Sequence, residues 1–195
     1  MAYPGVTLEL PGWMEEFFAD GLDRVYPTEK ERMRLAIELS RLNVEHGTGG
    51  PFGAGVFDLE TGRLIAPGVN LVTASGLSIA HAEIVAIMVA QRVSGGFDLG
   101  GPGRPPCELV ASTEPCIQCF GATTWSGVRR LVCGARDEDA RAIGFDEGPK
   151  LPDWVEALER LGIAVARDVC REEAAAVLGL YAEDGGRIYN ARQGS

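Results

Sequence analysis

Two short segments carry the side chains best suited to chemistry: His81-Ala82-Glu83, and further on Pro115-Cys116-Ile117-Gln118-Cys119. One imidazole and two thiols are donors that zinc prefers, and a tetrahedral site with three protein ligands keeps its fourth position for water. Zinc lowers the pKa of such a water toward 7, which makes a nucleophile available at neutral pH. Glu83 follows His81 too closely to be assumed a fourth ligand, yet is near enough to exchange a proton with that water. A C-x-x-C pair alone could also be a redox dithiol or half of a structural zinc knuckle. The redox reading gives His81 and Glu83 no task. The knuckle needs a second close pair, whereas Cys107, Cys133 and Cys170 stand singly. The residues therefore favour one catalytic zinc with a bound water, held by His81, Cys116 and Cys119, with Glu83 beside it.

Helix termini are the elements that can position these groups. Residues i and i+3 share a helix face, so Cys116 and Cys119 converge on one ion if a helix begins near Cys116. Pro115 suits such a start, because its missing N–H would be unpaired there anyway. His81 heads the apolar run Ile84-Val85-Ala86-Ile87-Met88-Val89, which predicts a buried helix. At a helix N-terminus the partial positive charge favours thiolate over thiol.

The rest of the chain predicts a layered frame. Residues 1–27 form an N-terminal extension, with Trp13, Phe17 and Phe18 spaced as a short amphipathic helix that packs on the core or a partner subunit. Thr28 and Glu31 form a capping box that opens a helix carrying Met33, Ala36, Ile37, Leu39 and Leu42. Residues 51–57 and 63–66 read as a hairpin, in which Gly53 and Gly55 suggest close approach of a ligand or another backbone. A Gly/Pro-rich surface loop (94–106) precedes a central strand, Cys107–Ser112, that delivers the cysteines. Then come a helix to about Trp125, a strand at 128–135, a short helix at 137–142, and the loop Gly144-Phe145-Asp146-Glu147-Gly148. A helix at 154–161, a strand at 163–169 and a helix at 171–182 complete a main domain of residues 28–183, which a tail at 184–195 follows. Strands alternating with helices imply an α/β domain with a mixed sheet.

Composition narrows the partners. The 195 residues suit one domain, and 46 % hydrophobic content without a long apolar run predicts a globular chain with no membrane partner. Glu9, Glu15, Glu16 and Asp20 near the start are unlike a secretory signal, so a cytoplasmic location is expected. Five cysteines, two committed to metal, leave no disulfide framework. A net charge of −10, with no basic cluster larger than Arg129-Arg130, argues against nucleic acid and for a small uncharged substrate.

H-x-E followed by P-C-x-x-C is the signature of zinc nucleobase deaminases. Together with Pro51-Phe52-Gly53-Ala54, Asn70, Gly121-Ala122, Trp125, Gly144-Phe145-Asp146-Glu147 and Ile188-Tyr189-Asn190, it makes the chain resemble the bacterial guanine deaminases of the cytidine-deaminase-like superfamily. The zinc motifs are common to the superfamily; the Gly-Phe-Asp-Glu loop and Ile-Tyr-Asn tail mark the guanine branch. Ile117-Gln118 departs from the proline-methionine or valine-methionine usual between the cysteines. The resemblance implies a three-layer α/β/α fold with a five-stranded mixed sheet, and a homodimer whose C-terminal tail crosses to complete the partner's pocket. It implies hydrolysis of guanine to xanthine and ammonia, with ammeline as a further substrate. Glu83 would shuttle the proton and Glu147, beside Asp146, would assist at the exocyclic amine. Asn70 would bind the edge of the base, while Phe52, Trp125 and a partner's tyrosine at position 189 wall it. Cytosine, guanosine, cytidine or triazine deamination, tRNA adenosine editing, and a noncatalytic zinc module are the alternatives.

Overall fold

The computed structural model describes residues 3–21 and 24–192. A short helix, α1 (Trp13–Phe17), precedes α2 (Glu29–Glu45). The expected capping box starts α2: Thr28 Oγ1 accepts from the Glu31 amide at 3.2 Å, and Glu31 Oε2 accepts from the Thr28 amide at 2.8 Å. The hairpin follows as β1 (Gly53–Asp58) and β2 (Leu64–Val69), with Asp58 Oδ1 accepting from the Glu60 and Thr61 amides in its turn. β2 runs beyond the expected Ala66, through Pro67 to Val69, because it is the outer strand and a proline there removes no ladder bond from a second neighbour. After a single turn, α3 (Val72–Ser75), come α4 (Ala82–Ser94), β3 (Cys107–Thr113), α5 (Ile117–Ser126) and β4 (Arg130–Ala135). The chain continues through α6 (Asp137–Ala142), α7 (Trp154–Arg160), β5 (Ala164–Ala166) and α8 (Arg171–Glu183).

The strands form one five-stranded sheet in the order β2-β1-β3-β4-β5. β1 is antiparallel to both neighbours, while β3, β4 and β5 are parallel, so the sheet is mixed as expected. β5 is shorter than its apolar run, since only Ala164–Ala166 pair with β4.

Strand alternation sends side chains to two cores. Phe57, Val110 and Val132 meet Met33 and Leu39 of α2 and Ala174 and Leu178 of α8 on one face. Val56, Leu109 and Leu131 meet Ala86 and Ala90 of α4 and Leu158 of α7 on the other. These layers are the three-layer α/β/α architecture. Two strand glycines allow the helices this close. A Cβ on Gly53 would sit 2.2 Å from the Ala36 carbonyl oxygen of α2, and one on Gly68 would sit 2.3 Å from that of Ala82 in α4. Of the two explanations for Gly53, the approach of another backbone is the one observed. The N-terminal segment joins the first core through the buried Met14 and Phe18.

Candidate active site

His81 is the N-cap of α4 and Cys116 the N-cap of α5, with Cys119 buried one turn further on. β3 delivers the second set: the Glu114 amide donates to Ala135 at 2.8 Å, prolonging the β3–β4 pairing to the edge of the metal loop. Pro115 precedes the cap. Both sulfurs, Cys116 Sγ and Cys119 Sγ, lie 3.5 Å from His81 Nδ1, and the three donor atoms fall within 4.8 Å of one another. With Zn–S near 2.3 Å and Zn–N near 2.05 Å, the S···N edge of a tetrahedron is about 3.6 Å. The three side chains thus have the donor chemistry and the spacing for zinc with one position open, and no other such cluster occurs among the described residues.

The electrostatics of the bare chain agree. A hydrogen bond from Cys119, seconded by His81, holds the Cys116 thiol down to about 4 against the opposing effect of burial. Burial pushes Cys119 well above the ordinary thiol value. For His81, burial works against the cation, but the bond to Cys116 and the charges of Cys116, Glu83 and Glu147 raise it overall. Glu83, in the first turn of α4, is lifted to about 6 by burial and then by Cys116, with His81 opposing. Glu147 is lifted to about 8 by burial and then by the charges of Cys116 and Glu83.

Glu83 and Glu147 line one cavity of about 350 Å³, together with His81 and Cys116, a volume that suits a small molecule. Asn70, at the end of β2, is 1 % exposed and also lines it. Its Oδ1 accepts from the Val72 amide at 3.2 Å, which fixes the side-chain plane and leaves the NH₂ as its donor toward the cavity. Phe52 and Tyr189 both contribute walls, joined through Phe145 by edge-on ring contacts of 4.9 and 5.0 Å. Asp146 lies at the rim, largely exposed; its Oδ1 accepts from Gly148 and its amide donates to Asn190 Oδ1, both at 2.9 Å. The structure thus uses Asp146 to shape the turn and anchor the tail.

Trp125 departs from expectation. It is 85 % exposed and does not line the cavity. It stands about two and a half turns beyond Cys116, which puts it on the opposite side of α5 from the ligands. In the single chain the tail lies over this chain's own cavity, which Tyr189 lines. Tyr181 Oη donates to the Arg187 carbonyl at 2.6 Å, and Asn190 Nδ2 donates to the Gly144 carbonyl at 2.9 Å. Gly50 makes room: a Cβ there would fall 2.0 Å from Tyr189 Oη.

Three contributors escaped the sequence reading. Phe145 joins the aromatic wall. Lys150 donates to the Pro115 carbonyl at 3.1 Å and pairs with Asp137 at 3.2 Å and Glu114 at 3.6 Å. Glu114, almost fully buried, also accepts from Arg167 at 2.6 Å. With the Ile117 amide donating to the Glu147 carbonyl at 3.0 Å, these contacts clamp the loop of Glu147 to the loop of Cys116. Phe145 stands in the Gly-Phe-Asp-Glu run and Glu114 directly before Pro115-Cys116, but neither position indicated its partners, and Lys150 carried no signal.

A three-layer α/β/α domain with a His/Cys/Cys zinc site and a carboxylate beside it defines a hydrolytic zinc enzyme of the deaminase type. Comparison with known proteins agrees: the model of the cytidine and deoxycytidylate deaminase zinc-binding region matches residues 27–135, and the chain belongs to this family. Among curated relatives, the guanine deaminase of Bacillus subtilis is 38 % identical over 115 residues, 59 % of this chain and 69 % of its own length. The solved structure of NE0047 in complex with 2,6-diaminopurine is similar at 46 % identity and a TM-score of 0.88, covering 95 % of this chain and 97 % of that one. The structure of guanine deaminase from Nitrosomonas europaea is similar at 43 % identity and a TM-score of 0.88, covering 94 % and 99 %.

Proposed function

We propose that this protein deaminates guanine hydrolytically, adding water across C2 and releasing xanthine and ammonia. The observation that carries this reading is one small cavity in which a three-donor zinc site, two buried carboxyls and the Asn70 amide face each other. His81, Cys116 and Cys119 would hold zinc, which when bound would supply a water acidic enough to attack at neutral pH. Glu83 takes the proton from that water and passes it to a ring nitrogen of the base. Glu147 serves the exocyclic amine, which must leave as ammonia because an amide anion is too basic to depart. Asn70 donates to an acceptor on the base edge, Phe52 and Tyr189 bound its faces, and Asp146 keeps the Glu147 turn closed. Guanine, guanosine, cytosine, cytidine and ammeline assayed for ammonia, with xanthine followed for guanine, test the reading. Guanine is expected to give the highest kcat/KM, with ammeline turned over more slowly and the nucleosides poor substrates for a cavity of about 350 Å³. Turnover of cytosine or a nucleoside in preference to guanine would reject it.

A cytoplasmic setting belongs to the same proposal, supported by five cysteines that are all free; among the described residues no helix is long and apolar enough to cross a membrane. So does a homodimer, within which the tail either stays on its own chain or crosses. Mixing a Glu83→Gln chain with a chain ending after Glu183 separates the routes. Closure by the chain's own tail predicts no recovered activity in the mixture; an exchanged tail predicts recovery of one site in each mixed dimer.

A further inference from the structure

Asn43 lies near the end of α2 and is 0 % exposed. Asparagine suits a helix interior poorly, because its side chain competes with the backbone for hydrogen bonds, and a buried amide is costly unless its polar atoms are bonded. Here they are. Nδ2 donates to the carbonyls of Gly50 and Asn70, both at 2.9 Å, and Oδ1 accepts from Thr48 Oγ1 at 2.7 Å. Two carbonyl partners require the NH₂ end of the amide, so an aspartate would oppose them with charge and an apolar residue would leave both unbonded. Thr48 Oγ1 in turn accepts from Trp13 Nε1 at 3.0 Å, and Trp13 stacks on His46 with centroids 5.4 Å apart.

One carbonyl belongs to a residue that lines the cavity and the other to the residue beneath a second lining side chain, Tyr189. Asn70 ends β2 and presents its own amide to the cavity, while Gly50 is the surface on which Tyr189 rests. Gly49 fits between them with no room for a side chain: its Cβ would fall 1.8 Å from the Asn70 carbonyl oxygen and 2.7 Å from Asn43 Nδ2. We propose that Asn43 is a positioning residue for the base-binding walls, a single amide that sets Asn70 and the Gly50 seat of Tyr189 in register, with Trp13 of the N-terminal segment closing the network from outside. The inference rests on the guanine reading for the role it gives Asn70.

A double-mutant cycle tests it, using the wild type, Asn43→Ser, Asn70→Ala and the pair, with kcat, KM, zinc content and thermal midpoint measured for each. Serine is too short to reach both carbonyls. Asn43→Ser alone is expected to raise the KM for guanine about tenfold, the scale of lost buried hydrogen bonds, with zinc content unchanged and kcat little altered. In the Asn70→Ala background the same change is expected to add less than about twofold, because acting through a shared partner makes the effects non-additive. Full multiplication of the two effects, or a lowered thermal midpoint with KM unmoved, overturns the proposal. Should Asn43→Ser fail to fold, Thr48→Val, which removes the hydroxyl orienting the amide, enters the same cycle with the same two outcomes. Wild-type inactivity toward guanine would show first and reject the functional reading; the cycle is then read on whichever amino-heterocycle is turned over.

Discussion

Glu83→Gln is expected to lower kcat for guanine by about 10³-fold, within the 10²–10⁴ that a positioned general acid–base contributes, while zinc stays bound. The glutamine keeps the shape of a side chain that is 7 % exposed in the first turn of α4, so neither the fold nor the ligands need move. What it loses is the capacity to accept a proton. No neighbour replaces it at the water, since His81, Cys116 and Cys119 are committed to the metal. Glu147→Gln is expected to cost less, about 10²-fold, because its partner is the departing amine and Glu83 can still serve the first proton transfer. Xanthine formation followed beside metal analysis of each variant checks both. A Glu83→Gln enzyme that retained a tenth of wild-type turnover with zinc present would show that proton transfer lies elsewhere.

Removing a ligand should cost both activity and stability. Cys119→Ser is expected to abolish stoichiometric zinc and reduce turnover to background. Cys119 is 0 % exposed, and the two sets of donors stand at the ends of different helices, α4 and α5. The ion therefore fastens two elements to each other, and its binding free energy adds to that of folding. A ligand at a hundred times its Kd adds about 2.7 kcal/mol, equivalent to about 5–10 °C in thermal midpoint for a chain of this size. Chelated wild type and Cys119→Ser should melt alike, and added zinc should restore only the former. A Cys119→Ser protein that kept one zinc and full turnover would remove this residue from the site.

What could be read in advance was local. The spacing of Cys116 and Cys119, the Thr28–Glu31 box and the apolar run after His81 each act within a few residues, and helix geometry converts them directly into position. The layered sheet followed because strands alternate with helices. Trp125 was placed by family analogy, and its distance from Cys116 around α5 puts it on the far side of that helix from this chain's own cavity. Lys150, Glu114 and Asn43 gave no signal, because their partners lie across the sheet or in other loops: Asn43 meets Asn70 only after β1 and β2 have paired. The tail's contacts on its own chain were hidden for a related reason, since glycines at 185 and 186 permit many paths and the bonds of Tyr181 and Asn190 join residues that only the fold brings together.

That tail has a kinetic meaning. Within residues 187–192 the Arg187 carbonyl bonds Tyr181 and Asn190 bonds the loop at 144–146, and Tyr189 inserts behind them. Tyr189 is one wall of the cavity, so displacement of the tail would widen it. If release of product waits on that displacement, turnover is expected to slow as solvent viscosity rises, and a kcat independent of viscosity would exclude it.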